Sequence, residues 1–212
     1  MKLSATQCIP GPAGQIEVLS QAPDGQVATA TAIICHPNPL HGGTMHNKVV
    51  TTIHQAMHHL SLRTVRFNYR GVGRSEGVYG DTVGEQQDLA TVIAWVQQQW
   101  PETIIWLAGF SFGTYISAAV QHQTQVATQL ISVAPAVDRY DYQSLTRIDC
   151  PWWVVATDAD EVVPFSAVEP WLANPPSPIH SHIIHGASHF FHGQLIVLRE
   201  HLKSCLAPYV PA

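Results

Sequence analysis

The stretch that decides the fold is residues 103–120, Thr-Ile-Ile-Trp-Leu-Ala-Gly-Phe-Ser-Phe-Gly-Thr-Tyr-Ile-Ser-Ala-Ala-Val. It opens with an apolar run typical of a buried β-strand, and the apolar residues after Gly113 recur at the spacing of a helix. Between the two stands Gly109-Phe110-Ser111-Phe112-Gly113. This pattern predicts a sharp turn from strand to helix that lifts Ser111 clear of the sheet, because glycine has no Cβ to clash where the two backbones crowd.

The rest of the chain alternates between the same two signals. Short apolar runs predict buried parallel strands at 29–35, 62–67, 103–108, 129–134, 152–157 and 179–184. A helical apolar period predicts further helices at 47–60, 83–100 and 191–206. Thr82 and Glu85 form a capping-box pattern at the start of the second of these helices. Strands that alternate with helices indicate an α/β fold, with a mostly parallel central sheet and helices on both faces.

Size and composition narrow the class of protein. A chain of 212 residues fits one domain, which we assign to residues 1–212. A formal net charge of -5, with only 10 lysines and arginines, argues against nucleic acid as a partner. No apolar run approaches the roughly 18 residues of a membrane span, and residues 1–14 lack a signal-peptide core, so we expect a cytoplasmic protein that binds no membrane.

A catalytic role for Ser111 requires a histidine base and a carboxylate beside it, because a free serine hydroxyl is a poor nucleophile. Ligands of parallel sheets bind at the carboxyl ends of the strands, and both kinds of residue occur there in this chain. The carboxylate candidates follow the run 152–157 and are Asp158, Asp160 and Glu161. The histidine candidates follow the run 179–184 and are His185, His189 and His192.

Five segments together resemble the α/β-hydrolases of the compact, dienelactone-hydrolase-like kind, over nearly the full length of the chain. One is the serine turn, and two carry the acid and histidine candidates, Asp158–Pro164 and His185–Phe191. The other two are loops, 36–45 (His-Pro-Asn-Pro-Leu-His-Gly-Gly-Thr-Met) and 68–75 (Asn-Tyr-Arg-Gly-Val-Gly-Arg-Ser). The resemblance implies the α/β-hydrolase fold.

The resemblance also implies a role for individual residues. Ser111 would be the nucleophile, His189 the base, and Asp160, which precedes a residue and then Val-Val-Pro, the acid. The backbone N–H groups of Phe112 and Asn38 would form the oxyanion hole, and the N–H of Leu40 is the alternative to that of Asn38. Such enzymes need no cofactor.

Two features depart from the family pattern. Dienelactone hydrolases proper carry a cysteine nucleophile, so their ring-opening activity is not implied for a chain with Ser111. The first oxyanion segment has His36-Pro37 where His-Gly is commoner, and proline has no N–H to donate. Pro37 itself therefore cannot be an oxyanion donor.

Two other patterns, a pair of histidines and a group of glycines, resemble ligand sites. His54 and His58 lie four apart on the predicted helix 47–60, as metal ligands can, but no carboxylate completes the motif. We expect these histidines in solvent or at the boundary of the helix's apolar face. The three glycines of residues 71–77 miss the spacing of a nucleotide loop, so we expect a turn at the rim of the site and no metal or nucleotide cofactor.

The function that follows is that of a serine carboxylesterase acting on a small ester-like substrate. Thioesterases, amidases, peptidases and C–C hydrolases use the same triad, and a hydrolase-fold binding protein without catalysis is a further alternative. Only Pro135–Pro151 separates the runs 129–134 and 152–157, too little chain for a helical lid, so we expect an open cleft. The sequence leaves the oligomeric state open.

Overall fold

The computed structural model describes residues 6–23, 25 and 28–211. Within them, eight strands join in one sheet. The strands are β1 (Thr6–Gly11), β2 (Gly14–Gln21), β3 (Ala30–Cys35), β4 (Arg63–Phe67), β5 (Ile104–Phe110), β6 (Gln129–Val133), β7 (Trp152–Ala156) and β8 (His180–Ile183). All six strands predicted from apolar runs are present, as β3 to β8.

The sheet has the order β1-β2-β4-β3-β5-β6-β7-β8. The strands from β3 to β8 run parallel, while β1 and β2 form an antiparallel hairpin that adds to the edge at β4. Nothing in the sequence pattern predicted this hairpin, because β1 is an outer strand with exposed side chains and contains Pro10. Proline is tolerated at such an edge, where its missing N–H interrupts no ladder.

Helices cover both faces of the sheet. They are α1 (Lys48–His59), α2 (Val83–Gln99), α3 (Phe112–Thr124), α4 (Phe165–Ala173) and α5 (Leu195–Leu206). The apolar faces of α1 and α5 share one core cluster, and those of α2 and α3 share a second cluster on the other face. The predicted mostly parallel sheet with helices on both faces is confirmed.

Three local predictions differ from the structure. α5 begins at Leu195 and not at 191, because Phe191 and Gly193 have φ angles of 52° and 75°, which no right-handed helix accepts. β8 is an exposed edge strand, not a buried one. Helix α4 was not predicted, since it carries Pro170 in its interior.

The capping box predicted for α2 does not form. Thr82 is the N-cap residue, but its φ is 71° and its side chain makes no capping hydrogen bond. The Glu85 carboxylate instead accepts the N–H of Gly80, 2.9 Å away. The first turn of α2 is thus tied to the preceding loop rather than to its own cap.

No lid covers the carboxyl end of the sheet. Between β6 and β7 the only regular structure is one 3₁₀ turn, Tyr142–Ser144. The absence of a substantial cap is therefore confirmed for the residues that the structure describes. None of the helices in this part of the chain is long and apolar enough to cross a membrane.

His54 is buried on α1, where solvent or a boundary position was expected. Its Nδ1 lies 2.7 Å from Oγ1 of Thr64 on β4, because α1 packs against β4 as well as β3. His58, one turn later, does lie at the helix boundary. Burial, together with the charges of Arg66, His58 and His59, lowers the pKa of His54 to about 3.

This buried histidine makes the stability of the fold depend on pH. Between its folded pKa of about 3 and an unfolded pKa of about 6.5, the unfolded chain binds more protons than the folded one. The contribution of neutral His54 is complete above pH ~6.5 and is lost as the pH falls. We predict that His54→Asn reduces the slope of unfolding free energy against pH by up to about 1.4 kcal/mol per unit in urea titrations between pH ~4 and ~6.

His46→Asn is the matched control, because His46 is exposed and its charge is not among those that lower the pKa of His54. It should leave the slope unchanged. Equal slopes for the parent and His54→Asn would show that His54 takes up its proton in the folded state.

Candidate active site

Ser111 stands at the turn between β5 and α3. Its φ of 53° and ψ of -118° are rare for a residue with a Cβ, so the surrounding contacts must hold it there. Its N–H donates to the carbonyl of Val133 on β6 at 2.9 Å, and its own carbonyl accepts the N–H of Thr114 at 3.0 Å. The predicted strand, turn and helix are all present, and Ser111 is carried at the carboxyl edge of the sheet.

The two glycines of the turn lie where the backbones touch. A Cβ on Gly109 would collide with the carbonyl oxygen of Gly113, and one on Gly113 would collide with the carbonyl oxygens of Cys35 and His36. The start of α3 therefore packs directly on the last residues of β3. This contact sets the first N–H groups of α3 beside the segment that follows β3.

A continuous chain of hydrogen bonds joins Ser111, His189 and Asp160. His189 Nε2 is 3.0 Å from Ser111 Oγ, and His189 Nδ1 is 2.7 Å from Asp160 Oδ2. Since a carboxylate only accepts, Nδ1 carries the ring proton and Nε2 is free to accept the serine hydroxyl. The side chains of His189 and Asp160 are only 2% and 4% exposed, so water does not compete for their hydrogen bond.

Asp160 is held in place by backbone donors. Its Oδ1 accepts the N–H groups of Val162 and Val163, both at 2.8 Å, leaving Oδ2 for His189. Burial by itself raises the pKa of this carboxyl, but the hydrogen bonds from His189 and from the two valines outweigh it, and the pKa lies below its ordinary value. Asp160 is therefore ionised at neutral pH.

Glu161, a candidate for the acid, has another place in the structure. Its carboxylate accepts the backbone N–H of His189 at 2.9 Å. The neighbouring loops are joined a second time where the hydroxyl of Thr157 donates to the carbonyl of Ala187. These contacts fix the backbone of His189, and no sequence motif marked either of them.

The remaining candidates for the acid and the base do not contact Ser111 or its partners His189 and Asp160. Asp158 and His185 form a separate pair, with Nδ1 2.7 Å from Oδ2, but their side chains are 34% and 79% exposed. His192 is exposed and donates its N–H to Ser188. The structure thus places two Asp–His pairs at one edge of the sheet, and only the buried pair reaches the serine.

Two segments that line the cleft each carry a backbone N–H without an acceptor among the residues described. Phe112 opens α3, so its N–H has no acceptor within the helix. Asn38 follows β3, lines the same cleft, and its N–H donates to no acceptor among the residues described. The alternative donor, the N–H of Leu40, is already bound to Asn38 Oδ1 at 2.8 Å.

The serine lies in an open cleft. The lining comes from the segment after β3, the start of α3, the β6–β7 connection and the loop around His189. Tyr140 and Arg139 of the β6–β7 connection form one wall. Tyr140 packs its edge on Phe112 and its hydroxyl accepts a 3.3 Å hydrogen bond from Asn38 Nδ2. Sequence reasoning missed both residues, because they lie in a loop without a motif.

The two patterns that resemble ligand sites, His54 with His58 and the glycines of 71–77, do not line the cleft of Ser111. Among residues 6–23, 25 and 28–211, no group of three or more histidine, cysteine, aspartate or glutamate side chains could hold a metal ion. The glycines of 71–77 do not line the cleft, contrary to the expected rim, and Gly77 lies against Ala13 of the hairpin turn. This loop supports the cleft indirectly, because Asn68 Oδ1 accepts the N–H of Met45 at 2.9 Å.

Comparison with known proteins identifies the class of protein to which this chain belongs. Residues 38–146 match the Hydrolase_4 family model, described as serine aminopeptidase, S33. An α/β serine hydrolase homologue from Coxiella burnetii is 52% identical, covers 95% of this chain and 97% of its own, and superposes with a TM-score of 0.92. A Xanthomonas campestris member of the α/β serine hydrolases, described as lacking a lid, is 40% identical over 100% of this chain and 97% of its own, with a TM-score of 0.92.

An uncharacterised protein of Rickettsia prowazekii is 33% identical over 197 residues, which are 85% of this chain and 79% of that one. The chain therefore belongs to the Hydrolase_4 family, within the α/β-hydrolase superfamily, and has the fold of the serine hydrolases without a lid.

The close backbone contact at Gly113 generates a prediction. Gly113→Ala should lower the free energy of unfolding by about 1–3 kcal/mol, because the new methyl group meets backbone atoms that cannot rotate away. It should also displace Ser111 and slow its reaction with a fluorophosphonate, a probe of nucleophilic serines. Labelling rate and urea unfolding of the same preparations measure both effects.

Gly193→Ala is the control, because a Cβ there meets no atom within 4 Å and only the φ of 75° opposes it. This variant should lose stability but label at the parental rate. If Gly113→Ala labelled equally fast, close packing of α3 on β3 would not be what holds the serine.

Proposed function

We propose that this hydrolase is a carboxylesterase for small acyl esters, with Ser111 as nucleophile, His189 as base and Asp160 as the acid that orients it. The observation that carries the proposal is the unbroken chain of contacts from Asp160 through His189 to Ser111, 2.7 and 3.0 Å long, beneath an open cleft. The binding-protein alternative requires no such alignment of a buried carboxylate, imidazole and hydroxyl.

The geometry supports a two-stage reaction. Ser111 Oγ attacks the ester carbonyl while its proton passes to His189 Nε2, and ionised Asp160 stabilises the resulting imidazolium. The carbonyl oxygen becomes an oxyanion, which the N–H groups of Phe112 and Asn38 bind. The intermediate then expels the alcohol, which takes the proton from Nε2, and the acyl group remains on Ser111.

Water completes the cycle by the same steps. His189 Nε2 accepts a proton from the water as its oxygen attacks the acyl carbonyl, and a second oxyanion forms in the same position. Collapse of this intermediate breaks the bond to Ser111 Oγ, which takes the proton back from Nε2. The products are a carboxylic acid and the free enzyme.

The lining of the cleft favours esters over the peptides that the family description suggests. An aminopeptidase must pair with the free α-ammonium group of its substrate, which calls for a carboxylate near the serine. Among the described residues that line the cleft, Arg139 is charged and none is an aspartate or glutamate. A neutral ester, thioester or amide needs no such partner, and a comparison of matched acyl donors decides among these three.

The first prediction tests the nucleophile. Ser111→Ala should remain folded and lose ester hydrolysis by a factor of about 10⁴ to 10⁶, because removal of one triad member disables the others. A fluorophosphonate should label the parent at Ser111 and leave Ser111→Ala unlabelled, as mass spectrometry of the digested protein would show. If the parent were not labelled, or if Ser111→Ala kept its turnover, Ser111 would not be the nucleophile.

The second prediction uses the two Asp–His pairs as a matched set. Asp160→Asn should reduce kcat by about 10⁴, since an amide cannot hold the required tautomer of His189. Asp158→Asn changes a carboxylate in the same hydrogen-bond geometry but away from the serine, and should retain parental kcat. If Asp158→Asn lost kcat and Asp160→Asn retained it, the acid would be Asp158.

The third prediction concerns the size of the acyl group. Each methylene that the protein buries adds about 0.8 kcal/mol to binding, but a cleft without a lid offers little wall for a long chain. For p-nitrophenyl esters, kcat/KM should therefore rise over the first few carbons and then level off, with no jump in rate when the substrate forms micelles. A steady increase to ~16 carbons would mean that a loop folds over the cleft.

A further inference from the structure

His36, the last residue before the segment that carries Asn38, has no part in the reaction described above. Its ring is fully buried between two backbone groups. Nδ1 lies 2.7 Å from the carbonyl oxygen of Pro37, and Nε2 lies 3.1 Å from the backbone nitrogen of Tyr69. A buried, polar side chain so close to the proposed oxyanion hole calls for an explanation.

The two neighbours fix the protonation of the ring. A carbonyl oxygen only accepts, so Nδ1 carries the proton and donates it to Pro37. A backbone N–H only donates, so Nε2 is bare and accepts from Tyr69. Burial lowers the pKa of His36 to about 4, with the hydrogen bond to Pro37 acting in the opposite direction. The ring is therefore a neutral donor of fixed tautomer at the pH values at which esterases are assayed.

The carbonyl that His36 holds belongs to the same peptide group as the N–H of Asn38. Among the residues described no peptide bond is cis, and in a trans peptide the C=O and N–H point to opposite sides. His36 binds the carbonyl from the buried side, where it does not line the cleft, whereas Pro37 and Asn38 do. The N–H of Asn38 is thereby turned toward the cleft that contains Ser111.

Only one motion can undo this orientation. The ring of Pro37 fixes its φ, so the peptide plane turns through ψ of Pro37 and φ of Asn38 together. Such a flip would point the carbonyl oxygen at the oxyanion and the N–H away from it. The hydrogen bond from His36 opposes the flip, because the carbonyl would lose its donor inside the protein.

We propose that His36 is a positioning residue: its Nδ1–H holds the Pro37–Asn38 peptide so that the Asn38 N–H faces the oxyanion formed on Ser111. The inference rests on the proposed function for the identity of the nucleophile, but not on the preference for esters. It explains how a His-Pro sequence, which lacks the N–H of the commoner His-Gly, still presents a donor at the next residue.

Two amide variants separate the two hydrogen bonds of the ring. The amide nitrogen of His36→Asn reaches the position of Nδ1 and can still donate to Pro37. The amide group of His36→Gln lies near the position of Nε2, where its oxygen can accept the N–H of Tyr69, and leaves the Pro37 carbonyl without a donor. His36→Gln should lower kcat about 100-fold with little change in KM, as loss of one oxyanion donor does. His36→Asn should recover most of that loss, although its contact with Tyr69 is gone.

The rate of fluorophosphonate labelling at Ser111 is measured on the same variants, because the phosphonyl oxygen develops charge in the same place. It should fall in His36→Gln and recover in His36→Asn. A parent that is labelled but cleaves no ester would refute the proposed substrate class and leave the His36 comparison intact. Equal losses in both variants would refute the positioning role.

A second pair of variants tests the donor itself and does not depend on the folding of the His36 variants. Asn38 has a φ of -51°, which suits proline, so Asn38→Pro removes the N–H, and Asn38→Ala removes only the side chain. Labelling should be much slower in Asn38→Pro than in Asn38→Ala. Adding His36→Gln to Asn38→Pro should slow labelling no further, since the N–H that His36 positions is already absent. The proposal would be overturned if the double variant were labelled more slowly than Asn38→Pro by the same factor that His36→Gln alone shows. Equal labelling rates for Asn38→Pro and Asn38→Ala would also overturn it.

Discussion

The direct contact of two backbones, where α3 meets the end of β3, is the constraint on which the rest of the site depends. Gly109 and Gly113 permit it, because any side chain at either position would occupy space that carbonyl oxygens already fill. The contact sets the first turn of α3 beside the 36–38 segment, so that two separate parts of the chain line one cleft with Ser111. The strained backbone of Ser111 is the local cost of this approach, and neighbouring strands hold it in place.

Burial separates the two Asp–His pairs that stand at the same edge of the sheet. Both have a 2.7 Å contact between Nδ1 and a carboxylate oxygen, so the length of that contact does not distinguish them. The Asp158–His185 pair is largely exposed, and solvent screens its charges. The Asp160–His189 pair is enclosed, and hydrogen bonds from Val162 and Val163 keep its carboxylate charged despite burial. Only an enclosed pair exerts its full electrostatic effect on a neighbouring hydroxyl.

The segment that carries Asn38 depends on support from distant parts of the chain. Glu17 of β2 accepts a 2.7 Å hydrogen bond from Asn68 Nδ2, and Asn68 in turn accepts the N–H of Met45. The edge hairpin is thus linked through one asparagine to the loop that carries Asn38. His36 adds a second link, since its ring joins that loop to Tyr69. A loop with little regular structure is in this way held by buried hydrogen bonds on the side away from the substrate.

The sequence by itself determined the parallel strands, most of the helices and the turn at Ser111, because these depend on local periodicity and on glycine at defined positions. It also narrowed the candidates for the acid and the base to residues at two strand ends, and family resemblance favoured Asp160 and His189 among them. Tertiary structure decided what depends on long-range contacts. The pairing of the β1–β2 hairpin with β4, the burial of His54 and the hydrogen bonds of Glu161 and His36 Nε2 all join residues at least ten positions apart. Several of these contacts involve backbone atoms, which carry no sequence signal. The sequence specifies the type of each side chain, but burial and hydrogen-bond partners are defined only once the chain has folded.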